Sequence, residues 1–392
     1  MHNNPGKTFE PKQAVNGARF DVIVVGVGTM GAATCHHLAA RGVRVLGLEQ
    51  YGSPHHLGSH GGRTRALRYG YAEHPDYVTL VQRAAEQWRS VERAAGRTLF
   101  SKTGALIVAE PGTPMFDDTL HSLELHQIPH EVLGPDDLEA RFPQFHLPPE
   151  KQGVLDFQAG FLRPERCIEA LIELALRKGA TIQTYEPVVD WQSDGSGVKV
   201  TTSRGTYAAD RLIFAAGAGT DALVRDLGVD LVVSRQVQAW FRPTQTEMFQ
   251  PGVFPIWVVE PKGDRYIYGF PIADDDFAVK VADDSRLHHT TLETVSRTPT
   301  VADAEYLRRE FSRILPEAAG TLLTMQVCLY TNTPDLNFIL DFHPAHGNVV
   351  LGCGFSGHGF KFAPVVGEVL SDLALQGRTT LPVDFLRLSR FE

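Results

Sequence analysis

The chain of 392 residues is short of cysteine, of basic charge and of long apolar runs, and each shortage removes a class of protein. Its four cysteines, Cys35, Cys167, Cys328 and Cys353, lie far apart with no C-x-x-C pair. They build no disulfide framework and fit a reducing, cytoplasmic compartment. Lys and Arg number 37 against 46 Asp and Glu, a net charge of −9 without a basic run, which speaks against nucleic acid and anionic membranes as partners. No apolar run approaches the roughly 20 residues that a membrane-spanning helix needs. The stretch from Met1 to Ala18 is polar, broken by Pro5, Gly6, Pro11 and Gly17, and has no signal-peptide core; residues 1–19 are expected to form a disordered extension. His55, His56 and His60 crowd one loop, but no second ligand cluster accompanies them, so no metal is expected. Internal repeats are absent, and at about 150 residues per domain the length predicts two or three domains.

The strongest positive signal lies near the start. Val22 to Val25 form an apolar run that reads as a buried strand, and Gly26, Gly28 and Gly31 follow at the spacing G-x-G-x-x-G. Gly26 lets the chain turn out of the strand, Gly28 leaves room for a pyrophosphate at the helix N-terminus beside Thr29 and Met30, and Gly31 lets helix and strand pack closely. A helix is predicted over Thr29 to Ala40 and a second buried strand over Val43 to Leu48. The latter ends on Glu49, roughly 20 residues past the last glycine, where a carboxylate takes a ribose hydroxyl. An acid there favours FAD or NAD over NADP. The strand ending at Phe214 runs into a second glycine turn, Gly217 and Gly219, which fits a flavin protein better than a plain NAD enzyme.

Between these signals the pattern alternates. A glycine-rich loop from Tyr51 to Tyr69 carries Arg63, Arg65 and Arg68, which can neutralise phosphate or carboxylate. Helices are predicted over Asp76 to Ala95, Pro114 to Gln127, Pro135 to Arg141, Arg163 to Lys178 and Val301 to Leu315. Phe100 to Val108 reads as one strand. Short strands follow at Thr181 to Thr184, Val188 to Gln192 and Val198 to Thr202. From Arg235 to Lys280 alternation with Trp240, Phe241, Trp257, Tyr266, Tyr268 and Phe270 predicts an antiparallel sheet, turning at Pro261 to Asp264, with most aromatics filling its core and one face able to roof a ligand. Strands at Phe338 to Asp341 and Val349 to Leu351 lead to the glycine-dense loop Gly352 to Pro364 and a last helix reaching Gly377. Such a loop, between strand and helix, aims N–H groups and a helix dipole at an anion.

Four motifs together mark a resemblance: Gly26-x-Gly28-x-x-Gly31; Gly58-Ser59-His60-x-Gly62-x-Thr64-Arg65-x-x-Arg68; Val327-Cys328-Leu329-Tyr330-Thr331; and Gly354-Phe355-Ser356-Gly357-His358-Gly359-Phe360-Lys361-Phe362. They resemble the monomeric sarcosine oxidase and N-methyltryptophan oxidase family, FAD-dependent amine oxidases of the D-amino-acid-oxidase superfamily. The likeness covers nearly everything after Phe20, and Phe385 to Phe391 also looks like the tail of the N-methyltryptophan enzyme. It implies an α/β fold, α+β overall: a Rossmann-type FAD-binding domain from residues 20–98, 154–230 and 335–392, and a substrate domain on an antiparallel sheet from 99–153 and 231–334.

The resemblance further implies FAD joined to Cys328 by a thioether. Ser59, His60, Arg63, Thr64, Arg65, Val188, Gly217, Gly354, Gly357, His358, Gly359 and Lys361 would contact it beside the fingerprint residues. Arg68 and Lys361 would grip a substrate carboxylate, Lys280 would activate O₂, Arg65 would lie by the flavin ring, and Tyr268, Tyr330 and His358 would line the site. The chain departs from the family's usual residues at Gly61 (histidine), Arg63 (aspartate) and Asp284 (histidine). The expected activity is oxidation of an N-methyl amino acid to an imine that hydrolyses, with O₂ reduced to peroxide, by a monomer. Three alternatives stay open: a bulkier or cyclic amine substrate (N-methyltryptophan, pipecolate or a fructosyl amino acid), an NAD-dependent dehydrogenase, and a non-catalytic nucleotide-binding subunit.

Overall fold

The computed structural model describes residues 19–392 apart from 225, 262–264 and 274–276. The expected N-terminal extension lies outside these residues except for Arg19, which opens the first strand, and so does most of the turn at Pro261 to Asp264.

The first sheet grows from the fingerprint. Arg19–Val25 pairs in parallel with Val45–Leu48 on one side and with Thr206–Phe214 on the other, and Val45–Leu48 pairs in parallel with Thr181–Gln183. The strand Thr206–Phe214 is long enough to serve two further partners. Its first half pairs antiparallel with Val198–Thr202, its last residues in parallel with His346–Cys353. Parallel strands are covered on both faces, which is why these segments read as unbroken apolar runs. Helix Thr29–Ala40 lies over the sheet between Pro164–Arg177 and Ala363–Gln376. Its crossing with the last helix is close because Gly367 has no side chain: a Cβ there would sit 2.6 Å from the Ala33 carbonyl carbon.

The second sheet takes strands from residues 105–156 and 232–332. In order they are His289–Thr290, Val232–Arg242, Val279–Asp283, Ile267–Phe270, Ile256–Val259, Ala105–Ala109, Gln152–Asp156 and His130–Leu133, with Thr321–Asn332 also on Val232–Arg242. All pairs are antiparallel except Ile256–Val259 with Ala105–Ala109. The alternation splits the aromatics as the two faces require. Phe241 and Trp257 turn to helix Val301–Ile314, where Trp257 stacks on Phe311 at 6.1 Å. Trp240 and Phe270 instead carry the ammonium of Lys280 over their rings, at 5.7 and 4.7 Å.

Two expectations need correction. Phe100 to Val108 is not one strand: Phe100–Lys102 pairs with Gly160–Leu162 in a small three-stranded sheet, and Ala105–Ala109 joins the large one. The break is at Thr103 and Gly104, whose N–H groups both reach the Ala159 carbonyl, with Gly104 left-handed at φ +75°. The stretch Gly352 to Pro364 is not loop to its end: Phe360–Phe362 form a 3₁₀ turn, and the last α-helix starts at Ala363. Among the described residues, no helix is long and apolar enough to cross a membrane.

Candidate active site

A cavity of about 310 Å³ opens at the C-terminal ends of the parallel strands. Gly26, Gly28, Thr29, Met30 and Glu49 line one end, Ser59, His60, Arg65 and Tyr330 another part, and Val188, Gly217, Gly354, Gly357 and Gly359 the rest. The glycines are needed. Gly26 is left-handed at φ +88°, and a Cβ on Gly31 would fall 1.7 Å from the Gly26 carbonyl oxygen. Glu49 is buried and accepts the N–H groups of Val27 at 2.9 Å and Tyr51 at 3.0 Å. Burial raises its pKa against those two bonds. His60 is buried too, and desolvation pushes its imidazole well below the ordinary range, so it is neutral.

The arginine-bearing loop is held from both sides. Arg65 donates to the carbonyls of Ser59, Gly61 and Thr64 at 2.6–2.8 Å. Glu165 accepts the N–H groups of Gly62 and Arg63. From the sheet side, Lys280 Nζ donates to the carbonyls of Gly62 and Thr64 at 2.9 and 2.8 Å. Burial, then the charge on Arg65, drive the pKa of Lys280 well below its usual value. Arg63 takes a left-handed backbone (φ 64°) and lies over Trp240 at 5.1 Å, so the Trp240 ring meets both Arg63 and Lys280. Gly61 has a steric reason: a Cβ there would lie 2.4 Å from Gln326 Nε2, which contacts His56.

A second cluster holds the remaining cations. Arg68 reaches both oxygens of Glu73 at 3.0 and 3.3 Å, donates to the Gly70 carbonyl and lies 4.2 Å over the Tyr71 ring. Lys361 Nζ donates to Tyr71 Oη at 2.7 Å and to the His358 carbonyl at 2.9 Å. Desolvation, then Arg68, push Lys361 well below the usual lysine range. Burial works against the charge on Glu73, but Arg68, His358 and Lys361 hold its carboxyl at about 2. His358, packed among Tyr71, Tyr77 and Phe338, is driven by burial down to about 3. Glu73 and Tyr71 were not foreseen; a signal was available, since an acid and an aromatic follow Arg68 within five residues.

Tyr268 and Tyr330 share a hydroxyl contact of 3.1 Å between these clusters. The Tyr330 ring lies so close to Gly357 that a Cβ there would be 2.5 Å from it. Cys328 is fully buried two residues before Tyr330, its sulfur 3.0 Å from Gln238 Nε2. Asp284 pairs with Arg286 at 3.0 Å and also feels Glu73, Asp283 and Arg68, while its field reaches Tyr268 and Tyr330. Burial lifts Asp284 to about 6. It is therefore neutral below that pH and anionic above it, where it offsets part of the positive field of Arg68. Affinity for acetate should fall severalfold as pH rises through about 6, and the inflection should vanish in Asp284→Asn; an equal inflection in the variant would contradict this. Among the described residues no His, Cys, Asp or Glu cluster suits a metal ion.

The cavity suits a dinucleotide. A glycine turn at a helix N-terminus stands at one end with a buried carboxylate beside it, and an arginine with a second glycine-dense loop stands at the other. This defines a flavin-dependent oxidoreductase. Comparison with known proteins agrees. Residues 21–373 match the family model described as FAD dependent oxidoreductase. The monomeric sarcosine oxidase of Streptomyces avermitilis is 40% identical over 367 residues, 93% of this chain and 96% of that protein. An Escherichia coli N-methyl-L-tryptophan oxidase is 33% identical over 95% of this chain and its own full length. The structure of NikD, an unusual amino acid oxidase essential for nikkomycin biosynthesis, superimposes with a TM-score of 0.82 at 27% identity, covering 94% of this chain and 97% of that one. The chain belongs to the FAD-dependent oxidoreductase family, and its cofactor is FAD.

Proposed function

We propose that the protein oxidises a small secondary amine bearing a carboxylate, an N-methyl amino acid of the sarcosine type, to an imine that hydrolyses, with O₂ reduced to hydrogen peroxide. The observation that carries this reading is the buried pair Arg68 and Lys361, adjacent to the flavin cavity, with the single carboxylate of Glu73 on Arg68. Relatives named for sarcosine and N-methyltryptophan oxidation support it.

When bound, FAD supplies the two-electron redox chemistry and passes the electrons to O₂. Everything else falls to the chain. Arg68 and Lys361 seize the carboxylate by charge-assisted bonds, and the arriving anion favours the ammonium form of Lys361 that burial opposes. Fixing the carboxylate sets the amine nitrogen and its methyl group against the wall formed by Tyr268 and Tyr330. The buried Lys280, tied to the loop through Gly62 and Thr64, brings positive potential to where O₂ acquires negative charge. Cys328 is the point of covalent attachment, and the enzyme works as a cytoplasmic monomer, in keeping with cysteines that are all buried and unpaired.

A panel of amines with a peroxide readout tests this. Sarcosine and related N-methyl amino acids should yield peroxide, and the corresponding amines without a carboxylate should fall by two orders of magnitude or more in kcat/KM. Preference for N-methyltryptophan or a cyclic amino acid would move the reading to a larger substrate, and peroxide from none of them would overturn it.

A further inference from the structure

Gln238 carries a carboxamide into a place where the fold offers it little. It stands on the strand Val232–Arg242, opposite Gln326 on one side and Ala282 on the other, and is 1% exposed. Cys328 lies opposite Gln236, so Gln238 is its diagonal neighbour on the same face of the pair. The contact is direct, with Nε2 3.0 Å from the sulfur. The other half of the amide, Oε1, is buried without a hydrogen-bond partner. It fits only because residue 62 is glycine: a Cβ there would fall 1.8 Å from Oε1. A buried amide with one end unsatisfied costs stability, and among the described residues the sulfur is the one side-chain group bonded to it. The thiol also sits within the electrostatic reach of Lys280, Tyr268 and Tyr330.

We propose that Gln238 is a positioning residue for flavin attachment, its Nε2–H holding the Cys328 sulfur for attack on the isoalloxazine ring. This rests on the reading of Cys328 as the attachment point. A donor aimed at the sulfur stabilises the negative charge that builds on it as its proton leaves in the attachment step. In the attachment step the thiol gives up its proton, and the sulfur electron pair forms a C–S bond to a ring methyl carbon, which loses one hydrogen as a proton. The ring takes up two electrons and the two protons. Dioxygen, the acceptor in the proposed reaction, then removes both electrons and protons as hydrogen peroxide, leaving an oxidised, thioether-linked flavin.

The test follows attachment itself. Protein produced without riboflavin is mixed with FAD under air, and the covalent fraction is read from flavin fluorescence on denaturing gels over time. Wild type should label to completion. Cys328→Ser should bind FAD yet release all of it on acid precipitation. Gln238→Leu, which removes the donor, and Gln238→Glu, which keeps the shape and loses the N–H, should attach about tenfold more slowly or worse, with non-covalent FAD affinity within twofold of wild type. Raising the pH should rescue Gln238→Leu more than wild type, because hydroxide then supplies the thiolate; a purely structural role would give no such rescue. Attachment at the wild-type rate in both Gln238 variants overturns the role of Gln238. Acid release of all FAD from wild type overturns the attachment reading instead, while peroxide production from amines tests the proposed activity separately.

Discussion

Lys361→Met should bind N-methyl amino acids and simple carboxylates about 10- to 100-fold more weakly than wild type while remaining yellow. The substitution keeps most of the side-chain volume and deletes the charge. A charge-assisted hydrogen bond to a carboxylate contributes about 1.5–3 kcal/mol, which is the source of that range. The protein itself should not suffer, since its native contacts are a phenol and a carbonyl and its charge is held against desolvation. Arg68 alone, its charge partly offset by Glu73, does not replace the missing bond. Competitive inhibition by acetate, measured beside KM for sarcosine, separates binding from turnover. Unchanged affinity for both ligands would remove Lys361 from the carboxylate site.

Gly31→Ala should be severely damaging. Its Cβ would lie 1.7 Å from the Gly26 carbonyl oxygen and 2.8 Å from the Gly26 carbonyl carbon, and both belong to the turn that feeds the dinucleotide site. The clash is with backbone rather than with a flexible side chain that could yield, so the cost should be about 3 kcal/mol or more. The expected result is a markedly lower Tm and little or no bound FAD. Gly134→Ala makes a useful control: its Cβ meets nothing within 4 Å, its φ of −69° suits any residue, and it lies at a helix start far from the fingerprint in sequence, so FAD content should be retained. Wild-type FAD content and Tm in Gly31→Ala would mean that the turn does not pack as described.

Much of this architecture is legible in the sequence because local rules carry it. The run Val22 to Val25, three glycines and Glu49 sit within one strand–helix–strand unit, and the structure builds that unit over the same residues. The helices starting at Asp76, Pro114, Pro135, Pro164 and Val301 are marked by periodicity and by proline or acidic residues in their first turns. What escapes is set by partners distant in sequence. Nothing between Phe100 and Val108 except Gly104 tells of a break, since the two halves differ in which strands they pair with. The proposed division at 153/154 likewise falls within Gln152–Asp156, a strand held by Ala105–Ala109 and His130–Leu133.

The same reasoning separates the site residues. Tyr330, Gly354 and Gly357 line the cavity where their motifs suggest, whereas Arg68 is tied to Glu73 and Lys361 to Tyr71, which no motif contains, and Lys280, itself outside every motif, is tied to Gly62 and Thr64. Glu73 stands only five residues after Arg68, and the fold closes that short segment into an ion pair. Gln238 meets Cys328 across 90 positions of sequence. Arg63 stacks on Trp240, a contact that depends on strand register.

The central claim is that a carboxylate-bearing secondary amine reduces the flavin held in this cavity. The most direct measurement is to mix the FAD-loaded protein with excess sarcosine in the absence of oxygen and follow its yellow absorbance. The account predicts that the colour bleaches and that admitting oxygen restores it with one hydrogen peroxide formed per flavin. Colour that persists with sarcosine and with every other N-methylated or cyclic amino acid would contradict it.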